Sequence, residues 1–124
     1  VLLHEALDFL EVQLMKTTDL TGPALDWAVA KCEGAANIRF DGNHTRIGTG
    51  EHFDPSTNWS QGGPIIEKEG ISMLCTNMAT LAEWQATYNN PWVKGPTPLV
   101  AAMRCYVASK LGDEVEIPEG LQND

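Results

Sequence analysis

The side chains equipped for chemistry are three histidines, three cysteines and scattered acids. His44, Glu51, His52 and Asp54 lie close together in the sequence, and imidazole with carboxylate is a donor set that holds metals. Their spacing matches no zinc pattern, and a loop containing His and acids is ordinarily just solvated, so no metal is assigned. Cys32, Cys75 and Cys105 are odd in number and widely spaced. Without a CxxC pair they form neither a zinc knuckle nor a thioredoxin-like motif, and buried free thiols in a reducing cytosol are expected. Nucleophilic catalysis would need Cys75 or Cys105 beside a base, and the bases on offer are His4, His44 and His52. Gly62-Gly63-Pro64 lacks the Lys of a phosphate-binding loop and follows no strongly apolar strand. It reads instead as a backbone device that lets its segment pass close to another element. No catalytic residue, cofactor or metal is therefore assigned, and the balance falls against an enzyme.

Residues suited to binding are more distinctive. The stretch Asn58, Trp59, Gln61, Gly62, Gly63, Pro64 is polar and aromatic, and Trp92 follows an Asn-Asn-Pro turn. Exposed Trp is a frequent interface anchor, so Asn58, Trp59, Gln61 and Trp92 form the candidate protein-binding surface. The alternative is that both Trp residues cover the core beside the Gly and Pro that let them pack. Trp27 lies off the centre of its helical stripe and is expected at the edge of the core.

The net charge of -9 is unevenly distributed. Residues 15 to 112 hold all eight bases against nine acids, whereas residues 113 to 124 hold five acids and no Lys or Arg. No basic footprint for nucleic acid exists, and no nucleic-acid partner is expected, although the order helix, three strands, helix is that of double-stranded-RNA domains. Acids concentrated at the ends read as solubilising tails rather than a DNA-mimicking face. No window is long and apolar enough to span a membrane, and no membrane partner is expected. The N-terminal stretch has no basic n-region, so the chain is read as cytoplasmic.

The clearest element is the helix within Gly95 to Asp113, with Thr97 as N-cap, Pro98 at the first helical position and Gly112 as the stop. Leu99, Val100, Met103, Tyr106, Val107 and Leu111 give it a wide apolar face, with Arg104 on the other side. A second helix runs from Thr21 to Gly34. A third is expected near Ile65 to Glu69, capped by Ser56 or Thr57 and either kinked at Pro64 or beginning there. IRF and TRIG flank the turn Asp41-Gly42-Asn43 as a small hairpin, and Ile71 to Cys75 and Leu81 to Tyr88 read as strands. Asn89 to Trp92 is expected to turn straight into the last helix. Val115 and Ile117 suggest a short edge strand before a frayed acidic tail over 120–124. Leu3, Leu7, Leu10 and Leu14 make residues 1–14 an amphipathic helix or upstream sequence, with Met15 the expected natural start. The expected fold is thus a single α+β domain over 15–119, with two or three helices on a small, mainly antiparallel sheet.

Three phrases, LTGPALDWAVAKCEG, FDPSTNWSQGGPIIEKEGI and GPTPLVAAMRCYVASKLGDEVEIPE, resemble the NinX-like family of small proteins from tailed phages of enterobacteria and their prophages. The resemblance runs from Met15 to about Glu119, and family members typically begin at the methionine matching Met15. It implies an α/β sandwich, and a gene near the replication and antitermination functions of lambda-like phages, expressed inside the bacterial cell. It carries over no catalytic residue. The expectation is a non-catalytic accessory protein that binds a host or phage protein. A small enzyme acting on a nucleotide or metabolite, and an acidic inhibitor or DNA mimic directed at a host factor, are the alternatives. The sequence does not set the oligomeric state.

Overall fold

The structure is a computed structural model, and it describes residues 11–41, 43–88, 91–121 and 123. Its elements in chain order are β1 (Val12–Lys16), a 3-10 turn (Thr17–Asp19), α1 (Gly22–Glu33), β2 (Arg39–Phe40), β3 (Thr45–Ile47) and β4 (Glu51–His52). They are followed by α2 (Trp59–Glu69), β5 (Ser72–Cys75), β6 (Trp84–Thr87), β7 (Val93–Gly95), α3 (Pro98–Leu111) and β8 (Glu114–Pro118).

α3 occupies the centre. Thr97 caps it by accepting from the Val100 N–H at 3.1 Å, and Pro98 occupies its first position. Its apolar surface is broader than one face, because Leu99 to Met103 and Cys105 to Val107 are all buried. A helix buried nearly all round has neighbours on every side. The sheet β5-β6-β7, α1, α2, the 3-10 turn and β8 all contact it. Small residues permit this crowding: a Cβ on Gly95 would lie 2.5 Å from the Ala101 nitrogen, so β7 rests on the helix backbone itself. Arg104 does not face water as the periodicity suggested. Its Nε donates to the Leu20 carbonyl at 2.8 Å and its Nη1 to the Lys94 carbonyl at 2.9 Å, which pins β7 and the turn before α1 to α3.

Instead of one sheet there are three small antiparallel ones, β1-β8, β2-β3-β4 and β5-β6-β7, so the α+β class holds. The reason is strand length: strands of two to five residues separated by turns cannot make a wide sheet, and each ribbon covers a different side of the helices. The expected hairpin is present, with Arg39 opposite Arg46 and Phe40 opposite Thr45, and β4 extends it. β7 pairs with β6 where a direct entry into α3 was expected, because Val93 is buried opposite the buried Ala86.

The beginning of the chain differs from the helical expectation where it is described. Val12–Lys16 is extended and pairs with β8, Met15 facing Val115 and Gln13 facing Ile117. The leucine spacing that suggested a helix falls mainly in residues 1–10, which lie outside the described residues. Beyond β8, Leu121 is buried, and the Asn123 side chain accepts from the Thr21 N–H at 2.7 Å and donates to the Asp19 carbonyl at 3.0 Å. Those contacts tie the end of the described chain to the start of α1, where Thr21 makes no side-chain cap.

α2 is continuous from Trp59 and is capped by Asn58 rather than by Ser56 or Thr57. Ser56 is buried with its N–H directed to Asp26 Oδ1 at 2.9 Å, so it serves α1 instead. Pro64 neither starts nor breaks the helix. It sits on the exposed side, where water can take the Ser60 carbonyl that loses its helical partner. The C-terminal ends of the helices are tied together by polar groups: the Tyr106 hydroxyl donates to the Glu33 carboxylate, and Lys68 Nζ lies 3.2 Å from Glu33 Oε2.

Candidate functional site

The four candidate surface residues divide between two places. Asn58, Trp59 and Gln61 share the start of α2. Asn58 Oδ1 accepts from the Ser60 N–H at 3.0 Å and its Nδ2 donates to Asp54 Oδ1 at 3.3 Å. Gln61 Oε1 accepts from the Asp54 N–H at 2.6 Å, while its Nε2 donates to the His52 carbonyl at 3.0 Å. Both amides thus hold the turn that delivers the chain into α2. Trp59, 53% exposed, stands over a hollow of about 260 Å³ lined by Ser56, Thr57, Thr97, Pro98 and Leu99.

Trp92 is 47% exposed and lines a different cavity, a cleft of about 620 Å³. Its lining is aromatic and apolar in Tyr88, Pro91, Trp92, Val93, Cys105 and Ala108, and polar or charged in Lys16, Thr17, Thr18, Ser109, Asp113 and Glu114. The two cavities share no lining residue. Val93, next to Trp92, is buried in β7, and Gly95 seats that strand against Ala101. Elsewhere in the lining, the Thr17 N–H donates to the Asp113 carbonyl at 2.8 Å and the Thr17 hydroxyl to the Gly112 carbonyl at 2.6 Å. Asp113 and Glu114 had been grouped with the solvated acids of the end. Both are exposed, and the turn after Gly112 makes them part of the lining of the same cleft as Trp92, which no local spacing announces.

The remaining reactive groups do not assemble into a centre. The His44 and His52 rings stack with centroids 4.3 Å apart and planes within 8°. Glu51 is engaged locally, accepting from the Thr49 hydroxyl at 2.6 Å, and that hydrogen bond is the main cause holding its carboxyl below the usual range. Among the described residues no three His, Cys, Asp or Glu side chains group to hold a metal. The Cys75 thiol lies 3.6 Å from the Asn77 carbonyl, and Cys105 is in the wall of the Trp92 cleft. Burial pushes the Cys105 thiol up to about 11 and Cys32 up to about 12, so both are protonated at neutral pH. Of the three, only Cys105 is fully buried, short of the expectation for all of them.

Trp27 is buried and packs edge-on against Phe40 at 5.8 Å, a core role. Asp26 was not singled out by the sequence. It is 4% exposed, and burial raises its carboxyl to about 7, with the Ser56 N–H pulling the other way. Asp26, Ser56, Gly62 and Leu99 meet across the three phrases that carry the family resemblance: Gly62 lies so close to Pro55 and Leu99 that a Cβ there would come within 2.5 Å of the Pro55 carbonyl oxygen. The Gly-Gly-Pro device therefore serves the close approach expected of it.

Comparison with known families gives one match, the family described as Bacteriophage P22, NinX, over residues 16–110. No curated protein matches the chain. Among the described residues, the matched stretch includes α1, α2, α3 up to its next-to-last residue and the sheets β2-β3-β4 and β5-β6-β7, and it stops short of β8.

Proposed function

Since the chain belongs to the phage P22 NinX family, we propose that it is a non-catalytic accessory module that binds a host or phage protein in the cytoplasm of the bacterial cell. The observation that carries this reading is Trp92, half-exposed immediately before β7 and lining a cleft of about 620 Å³. Large exposed aromatic rings seated in a pocket dominate interface energetics. Trp59 is a second exposed ring on a shallower hollow and serves as the internal comparison. Among the described residues no helix is long and apolar enough to cross a membrane.

The test is an affinity capture from prophage-induced host lysate with three folded baits: the unaltered chain, Trp92→Ala and Trp59→Ala. A partner retained by the unaltered chain and Trp59→Ala but lost with Trp92→Ala is the expected result. A partner held equally by all three baits rejects the cleft as the binding surface.

A further inference from the structure

Acids outnumber bases in the lining of the Trp92 cleft, two to one. Asp113 and Glu114 stand on its rim, and among the described residues neither carboxylate has a cationic nitrogen within 4 Å. α3 ends beside them at Leu111, and Ala108 and Ser109 of its last turn line the cleft. A helix C-terminus carries partial negative charge on its last carbonyls, so it adds to the carboxylates rather than opposing them. The same lining includes the rings of Trp92 and Tyr88, and the faces of such rings attract cations. Lys16 is the one base on the rim, and it sits opposite Glu114 across β1 and β8, leaving Asp113 without a counter-charge. The whole chain, at net -9, attracts the same sign of partner over longer range.

Resting on the protein-binding reading above, we propose that the cleft receives an arginine side chain from a basic segment of the partner, its guanidinium plane against Trp92 and its N–H groups directed to Asp113 and Glu114. Arginine suits the site better than lysine. Its planar, weakly hydrated head can stack on an indole and still present a fork of donors to two carboxylates, which a compact ammonium cannot do together. The aromatic and apolar wall would take the methylene stem.

The probe is N-acetyl-arginine amide, with N-acetyl-citrulline amide as a neutral counterpart of nearly the same shape, titrated at low salt into the full ¹⁵N-labelled chain. The Trp92 indole N–H is assigned by its loss in Trp92→Phe. Expected are saturable shifts of that indole and of the Ser109 and Asp113 amides with arginine, citrulline binding at least 10-fold more weakly. Lysine should rank between them. In an Asp113→Asn, Glu114→Gln double variant, with its thermal transition checked for folding, arginine affinity should fall at least 5-fold. Equal binding of citrulline and arginine, or undiminished affinity in the double variant, overturns the inference, as does the absence of shifts at the cleft. If the inference fails while lysate capture still depends on Trp92, the cleft binds a partner through other chemistry. If capture is indifferent to Trp92, the binding reading itself has failed.

Discussion

Replacing Gly62 by Ala should destabilise the domain, although the same change one residue later should stabilise it. Both glycines lie inside α2, where exchanging Gly for Ala favours the helix by about 1 kcal/mol. At position 63 an added Cβ would meet only Trp59 Cε3 at 4.0 Å, an ordinary contact, so that gain is retained. At position 62 it would come within 2.5 Å of the Pro55 carbonyl oxygen and 2.6 Å of Leu99 Cδ2. The leucine can turn aside, but the carbonyl belongs to the backbone of the buried turn that also carries Ser56, so α2 itself must shift. Overpacking of this kind costs about 1–3 kcal/mol, and with a backbone atom involved the upper part of that range applies. The net expectation is a loss of about 1–2 kcal/mol for Gly62→Ala against a gain approaching 1 kcal/mol for Gly63→Ala. For a chain of this size each kcal/mol moves Tm by roughly 3–5 °C. Thermal and urea unfolding followed by circular dichroism therefore read two shifts of opposite sign. A Gly62→Ala protein as stable as the unaltered chain would refute the claim that α2 is seated against Pro55 and Leu99 by the absence of a side chain.

Asp26, with a folded pKa of about 7, binds its proton more tightly than in the unfolded chain, so its contribution to stability is full below pH 4 and is lost as pH rises to about 7. Asp26→Asn, still able to accept from Ser56, should remove that decline and be the more stable protein at pH 8, by up to about 4 kcal/mol from a shift of about three units; urea titrations at pH 4 and pH 8 check both the slope and its sign. Thr97→Ala removes the oxygen accepting from Val100 and should cost about 1 kcal/mol in chemical denaturation, whereas Thr21→Ala, which makes no side-chain cap, should cost clearly less. With iodoacetamide at pH 7.5, peptide mass spectrometry should find Cys75 modified well before Cys32 and Cys105, whose thiols are held up to about 12 and about 11 by burial.

What could be read from the sequence follows the range of the interactions. α1 and α3 were legible because first-turn prolines, the glycine stops at Gly34 and Gly112 and, for α3, the Thr97 cap are local signals. The hairpin around Asp41 was legible for the same reason. Asn58 was passed over as a cap because Ser56 and Thr57 precede it with equally good side chains, and only the long-range bond from Ser56 to Asp26 decides among them. β1 was not anticipated because Leu14 continues the three- and four-residue leucine spacing of the residues before it, a helical signal, and its pairing depends on residues about a hundred positions away. The candidate surface was legible in its aromatic members. Its division into two cavities was not, and neither was the presence of acids in the Trp92 cleft, since Asp113 and Glu114 join its lining only after α3 has returned the chain to β1.

The pairing of β1 with β8 also fixes an order of events during synthesis. Lys16 is translated about a hundred residues before its partner Glu114, and closing a loop of that length costs roughly 3 kcal/mol more than closing a four-residue hairpin. Helices and local hairpins can form as they emerge, but Met15 has no strand to face until Val115 has left the ribosome. The rim of the Trp92 cleft is built from those same two strand ends, so a nascent chain can display the aromatic wall before its acidic complement exists. Binding competence would then arrive only once the strand that follows α3 has been made.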